Sequence, residues 1–222
     1  MDRNPKNYQI NELTLINVAG QTLDVKYLLV EFSLHEDLFN NCLTGKLTLN
    51  DANNEINNFP IFGFEQCIVE FLTPEKRTIK VNFEIYKVHD RHLVKDRQLV
   101  YELDLVSKEA INNLKIRTST SYKNKLISEM VEDLHIKRLN GSPINIETTK
   151  GAHHFIIPNI SPIEAINWLS SMAVSTRHLG AFYLYFQDSS SYNFVSLESL
   201  LQAPTTEKYL LHPSNIRNKL CR

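Results

Sequence analysis

Glycine is scarce in this 222-residue chain: there are six, and none stands in a GxGxxG or GxxxxGK arrangement. Phosphate cradling by a glycine-rich turn needs those spacings for close backbone approach, so that chemistry is set aside. Cysteine is scarcer still. Cys42, Cys67 and Cys221 are odd in number and lack CxxC spacing. That speaks against a disulfide framework or a thiolate zinc site and for reduced thiols packed as small hydrophobes, in a protein made in a reducing cytoplasm. HExxH, GxSxG and DxDxDG motifs are all missing. No apolar run approaches the roughly 18 residues of a membrane span, and Met1-Asp2-Arg3-Asn4-Pro5-Lys6-Asn7 does not read as a signal peptide. Charge of one sign is lacking too. With 24 Lys+Arg against 25 Asp+Glu the formal charge is -1, which leaves no basic footprint and disfavours whole-surface nucleic-acid binding, a local patch aside; no sequence-specific nucleic-acid partner is expected.

What is present is a chain with 42% hydrophobic residues, ordinary for a folded soluble protein. At roughly 150 residues per domain it makes one large domain or two small ones. The first hundred residues read as β-structure. Leu43, Gly45, Leu47 and Leu49 alternate with Thr44, Lys46 and Thr48, and Ile79 to Ile85 alternates strictly. Leu99, Tyr101, Leu103 and Leu105 repeat the pattern. Gln66 to Leu72 and Arg77 to Val88 flank Thr73-Pro74-Glu75-Lys76, which predicts an antiparallel hairpin. Tyr8 to Ile16 and Leu23 to Leu34 add two earlier strands. Six strands without a long helix between them point to an antiparallel barrel or sandwich.

After Ser107 the period changes. Ser107 to Leu114 reads as a short helix, and Leu126, Ile127, Met130, Val131 and Leu134 as a second, capped by Ser119, Thr120 or Ser121. Ser161-Pro162-Ile163-Glu164 has the form of a capping box with proline at the first helical position, predicting a helix from Pro162 to about Ser175. Ala181 to Phe186 is a strand too apolar to be one-sided, Tyr192 to Ser196 returns from it, and Leu197 to Gln202 forms a helical turn before Pro204. The boundary between the two parts falls near 107–119. Asparagine, 22 residues in all, gathers in expected turns such as Asn53-Asn54 and Asn57-Asn58.

Candidate chemistry is thin. His153-His154 are adjacent, so an extended segment points them to opposite faces and one metal cannot readily use both. His89 and His92 flank Asp90 as a loop pair without a third ligand. Glu129, Glu132 and Asp133 read as a solvated helix face. Glu65 reads as an edge-strand charge, with a buried acid of raised pKa as the alternative. Cys42 or Cys67 could act as a nucleophile only with a base supplied by the fold. The aromatic run Phe182, Tyr183, Tyr185, Phe186, Tyr192 and Phe194 reads as core and interface, with a sugar-stacking platform as the alternative. No catalytic residue, cofactor or metal is expected, and the chain reads as a non-enzyme.

The order of segments resembles a known family. Leu43-Thr44-Gly45-Lys46-Leu47-Thr48-Leu49-Asn50-Asp51, then Phe59-Pro60-Ile61-Phe62-Gly63-Phe64-Glu65, then the hairpin with Leu72-Thr73-Pro74, are similar to the N-terminal part of baseplate hub proteins of contractile-tailed (T4-like) phages. Tyr101-Glu102-Leu103, Val106-Ser107-Lys108-Glu109, Phe155-Ile156-Ile157-Pro158-Asn159, Ala165-Ile166-Asn167-Trp168-Leu169 and the aromatic hairpin into Phe194-Val195-Ser196-Leu197 continue the likeness. Secretion-system spike proteins share this hub architecture. The resemblance implies an α+β chain. Residues 1–110 would form an antiparallel tube-type β-barrel and 111–180 a small α+β domain. Residues 181–222 would hold the aromatic hairpin and the start of a second, incomplete tube-like domain.

It further implies a homotrimeric ring in the virion baseplate, assembled in the host cytoplasm. The ring would join tail tube to central spike beside wedge proteins, with a channel that DNA can traverse and no membrane insertion. The alternatives are the hub portion of a secretion or injection spike and, less favoured, a glycan-binding module of the cell envelope. The family's second tube barrel needs more chain than follows Leu201, so either this chain is a shortened piece of a longer hub or that barrel comes from elsewhere. Phe59, Phe62, Phe64, Phe182, Tyr183, Tyr185 and Phe186 are the expected core or interface anchors.

Overall fold

The computed structural model describes residues 8–52, 55–56, 59, 61–95, 98–178 and 182–204. The expected turns at Asn53-Asn54 and Asn57-Asn58, and Cys221, lie outside them.

Alternation in the first half becomes one seven-stranded antiparallel sheet. Its strands are β1 (Gln9–Ile16), β2 (Thr22–Asp24), β3 (Leu29–His35), β4 (Thr44–Asp51), β5 (Gln66–Leu72), β6 (Thr78–Lys95) and β7 (Gln98–Ser107), in the order β2-β1-β5-β6-β7-β4-β3. Along β4 and β5 alternate side chains are buried, and Leu47, Leu49, Cys67, Val69 and Phe71 share one core with Phe83, Ile85, Leu103 and Leu105. The predicted hairpin is present, Leu72 pairing with Thr78 across a turn that Lys76 enters at φ 61°. Expected as one strand, Leu23 to Leu34 is instead two, split by a 3-10 turn at Lys26–Leu28. Leu28-Leu29-Val30 lacks the alternation a continuous strand needs.

This sheet is strongly curled. Phe32 on the end strand β3 reaches across to Phe71 on β5 and Phe83 on β6, with ring centroids 6.2 and 6.5 Å apart. Register shifts between Ile10 and Glu12, Leu29 and Glu31, and Ile85 and Lys87 supply the extra local twist. Yet the curl stops short of closure. Among the described residues no ladder joins β2 to β3, so the sheet is a half-barrel with two edges.

The second half follows as α1 (Lys108–Lys115), β8 (Thr118–Leu126), α2 (Ile127–Lys137), β9 (Ile144–Ile146), β10 (Ala152–Ile160), α3 (Pro162–Ser170), β11 (Tyr183–Gln187), β12 (Tyr192–Ser196) and α4 (Leu197–Leu201). β8 and β10 form an antiparallel pair; β12 pairs antiparallel with β11 and parallel with β9. Ser119 to Ser121 lie inside β8 and cap nothing. Leu126 stands at the start of α2, and its N–H donates to Glu129 Oε2 at 3.0 Å. At α3 the Ser161 hydroxyl makes no capping bond. The free Ile163 N–H donates to Asn113 Oδ1 at 2.8 Å, and the helix ends at Ser170, short of Ser175. Tertiary partners there replace the local box.

A second core gathers Ile127, Met130, Val131 and Leu134 from α2, Ala165, Ile166 and Leu169 from α3, and Tyr183, Tyr185, Tyr192 and Phe194 from the hairpin. Both faces of β11 and β12 are covered, as their apolar sequence requires. Polar contacts join the two cores. The Leu43 N–H donates to Gln187 Oε1 at 3.1 Å, Ser107 N–H donates to Leu43 O at 3.0 Å, and Ser107 Oγ lies 3.4 Å from the Tyr192 hydroxyl.

Candidate functional site

The segment before β5 is built around one carboxylate. Glu65 is 1% exposed; its Oε1 accepts the Phe62 N–H at 2.8 Å and its Oε2 the Gly63 N–H at 2.9 Å. The expected edge-strand charge is therefore a buried clamp, because two loop N–H groups need acceptors away from water. Phe64 N–H donates to Ile85 O at 2.7 Å, closing the loop onto β6. Gly63 takes φ +104° and Phe64 φ 70°. A bulky residue at positive φ costs on the order of 1–3 kcal/mol and persists only where its surroundings hold it. The conformation turns both rings outward: Phe62 is 85% exposed and Phe64 56%. The Lys115 ammonium stands 5.0 Å from the Phe64 ring centroid.

A groove of about 720 Å³ opens at the other end of the same hairpin. Tyr8 and Ile10 of the β1 end, Val30, Phe32 and Leu34 around β3, and Phe71 of β5 line it, with Glu31 and Glu36 among its residues. It runs along the unclosed side of the half-barrel, beside the free edge of β3.

The expected anchors divide. Phe59, Tyr183 and Tyr185 are buried within this chain, Phe186 is half-buried, and Phe62, Phe64 and Phe182 reach the surface. The alternative of a sugar-stacking platform fails on this burial, since Tyr183, Tyr185, Tyr192 and Phe194 pack inward on α2 and α3. Sequence reasoning missed Phe39, 74% exposed, and Trp168, which packs edge-on against Phe155 at 4.8 Å. No periodicity marks a single aromatic in a loop such as Phe39.

Several buried polar groups elsewhere are hydrogen-bonded within the chain. His135 lies among Tyr185, Tyr192 and the 139–143 turn. Its Nδ1 is 2.8 Å from the Tyr185 hydroxyl and its Nε2 2.6 Å from Ser142 O, and burial lowers its pKa from 6.5. The carbonyl only accepts, so Nε2 carries the proton and Nδ1 accepts from Tyr185. Glu109 accepts from the Ser142 N–H and hydroxyl at 2.9 and 2.7 Å. Burial pushes Glu147 upward, but the Ser196 N–H and the hydroxyls of Ser199, Ser175 and Ser196 outweigh it and bring its pKa down to about 2. These clusters tie elements together.

The other sequence candidates stay apart. Burial raises the Cys42 thiol and pushes Cys67 up to about 12, both away from a nucleophilic thiolate. His89 lies in β6, not in a loop, 2.8 Å from Asp104; the side chain of His92 lies outside the described residues. His153 is half-buried and His154 exposed on opposite faces of β10. Asp133 accepts from Tyr122 and pairs with Lys137. Among the described residues no three His, Cys, Asp or Glu side chains gather as a metal site, and no helix is long and apolar enough to cross a membrane.

No protein-family model and no curated protein matches the sequence. Solved structures match the fold. The 43 kDa tail protein of prophage MuSo2 from Shewanella oneidensis superposes with a TM-score of 0.57 at 12% identity, over 82% of this chain and 52% of that one. The chain shares its fold with phage tail proteins. A tail protein from Neisseria meningitidis gives 0.52 at 10% identity, over 84% of this chain and 50% of that one. A component of the E. coli type VI secretion system, itself structurally similar to T4 bacteriophage tail proteins, gives 0.50 at 12% identity, over 84% and 48%. The chain thus spans about half the length of each of these three. The likeness to tail proteins agrees with the hub-protein resemblance, but among the described residues the first sheet is a half-barrel and not the closed barrel that the resemblance implies.

Proposed function

We propose that this chain is a structural component of a contractile-tail baseplate hub, forming a trimeric ring that joins the tail tube to the central spike. The observation that carries the reading is the shared fold, over most of this chain, with two tail proteins and a type VI secretion component. Three features of the chain support it. The half-barrel leaves two sheet edges, and a neighbouring subunit that paired or packed on them would complete a tube-type barrel. Phe62 and Phe64 are held outward, Phe64 at positive φ, by a loop that Glu65 clamps. The side chains of His135, Glu109 and Glu147 cross-link elements, which suits a scaffold.

Residues 1–110 are the tube-like unit in this proposal and 111–180 the α+β unit. The 181–222 segment holds the aromatic hairpin and the start of a second, incomplete tube-like unit. Phe62, Phe64 and Phe182 are the interface anchors. Tube, spike and wedge proteins are the partners, and the virion baseplate is the location. A second reading, the hub portion of a secretion-system spike, draws support from the type VI component among the structural matches. Light scattering on the intact protein at high concentration, with tube and spike proteins added in turn, tests the proposal. It predicts a mass of three copies and a larger complex with each partner. A monomer that binds neither overturns it.

A further inference from the structure

The aromatic loop and the apolar groove lie at opposite ends of one hairpin. The loop leads directly into Gln66, while Phe71 and Ile79 of the groove sit at the far end of β5 and the start of β6. Six residue steps of strand separate them, roughly 20 Å at about 3.4 Å per residue. Phe62 and Phe64 therefore cannot fill the groove of their own chain.

We propose that the groove is the seat for the Phe62–Phe64 loop of a second copy of this chain. The proposal rests on the self-assembling reading above and names the contact that builds the ring. Two observations make a second copy the occupant. One is shape and polarity: a rigid pair of outward rings meets a cavity of about 720 Å³ walled by Tyr8, Ile10, Val30, Phe32, Leu34 and Phe71. Each aromatic ring seated there buries roughly 150–250 Å². The other is charge. Lys115, at the end of α1, stands over Phe64, whereas Glu31 and Glu36 accompany the apolar residues of the groove. Seating one in the other brings the ammonium to the carboxylates, and loop-on-loop or groove-on-groove contacts would oppose like charges. Since loop and groove are different surfaces, the contact is head-to-tail, the kind that closes into a ring when the rotation per subunit divides a full turn.

Clamping by Glu65 serves this contact. Rings fixed before encounter lose less conformational freedom on docking than rings on a free loop.

Sedimentation velocity on the intact chain tests the contact. Phe62→Ala with Phe64→Ala weakens self-association by about tenfold or more, the scale of a buried aromatic anchor, with unchanged far-ultraviolet circular dichroism. Lys115→Glu alone, or Glu31→Lys with Glu36→Lys, weakens it as well, and the three changes in one chain restore it. In a Cys221→Ser background, Phe62→Cys mixed with Val30→Cys gives a disulfide-linked pair of copies, and Phe62→Cys mixed with Ser119→Cys does not. The contact is overturned if association ignores the double alanine change, if the charge exchange brings no rescue, or if the wild type stays monomeric throughout. Each of those results leaves the hub reading to stand or fall on binding to tube and spike proteins.

Discussion

Single residues set the local costs of this structure, and Glu65 is the clearest of them. Its two oxygens satisfy two loop N–H groups beneath a residue at positive φ. Glu65→Ala strands those donors, so denaturant unfolding should show a loss of about 1–3 kcal/mol, with far-ultraviolet circular dichroism at low denaturant unchanged. Gly141 is a second such point. A Cβ there would stand 2.3 Å from His135 Cε1, so Gly141→Ala pushes the imidazole away from Ser142 and Tyr185. Thermal unfolding should register a cost of about 1–3 kcal/mol or more.

Two residues, His135 and Glu147, contribute to the chain's dependence on pH. Burial depresses the His135 pKa below 6.5, so the unfolded chain binds that proton more readily than the folded one. Its contribution to stability is therefore full above pH 6.5 and falls as pH drops from there toward the folded value. Glu147, brought from 4.5 to about 2, contributes above pH 4.5, and that contribution is lost as pH falls from 4.5 toward 2. Midpoints of thermal unfolding should decline in both windows. His135→Gln should flatten the upper decline while lowering stability at pH 7, and Glu147→Gln should reduce the lower one, to which Asp133 and Asp188 also contribute. A midpoint that does not change from pH 7 to pH 3 would contradict both assignments.

At the scale of elements, the strands that announce themselves are those with one apolar face. β4, β5 and β7 alternate in sequence and bury every second residue. β8 escapes the same reading because Thr118 and Tyr122 are its only fully buried residues and its body is polar; the ladder to β10 holds it. A three-residue strand such as β9 offers too little pattern to detect, and its parallel pairing with β12 is a tertiary fact. Sequence suggested a local capping box for α3, whereas Asn113, about fifty residues earlier, supplies the bond. The candidate site was legible in part. Aromatic residue types marked the 59–64 segment, but only the fold shows that Phe59 is buried while Phe62 and Phe64 face outward. The groove was invisible, since it arises from four strands, β1, β3, β5 and β6, brought together by the curl. Hydrogen exchange should reflect this architecture: the β5, β6 and β7 amides exchange slowest, and β2 and the outer edge of β3 fastest. Equal protection across all seven strands would mean that the half-barrel is closed in solution.

For the whole molecule, the central claim is that exposed apolar surface and open sheet edges are completed by other subunits. An isolated half-barrel with outward aromatics and an open apolar groove is an aggregation hazard unless assembly covers those surfaces. The measurement that tests this most directly is electron cryomicroscopy of assembled tails carrying this chain. The account predicts three copies in a ring between tube and spike, with the Phe62–Phe64 loops buried against neighbouring subunits. Tails that assemble with no copy of the chain at that junction, or copies whose Phe62 and Phe64 face solvent, would contradict it.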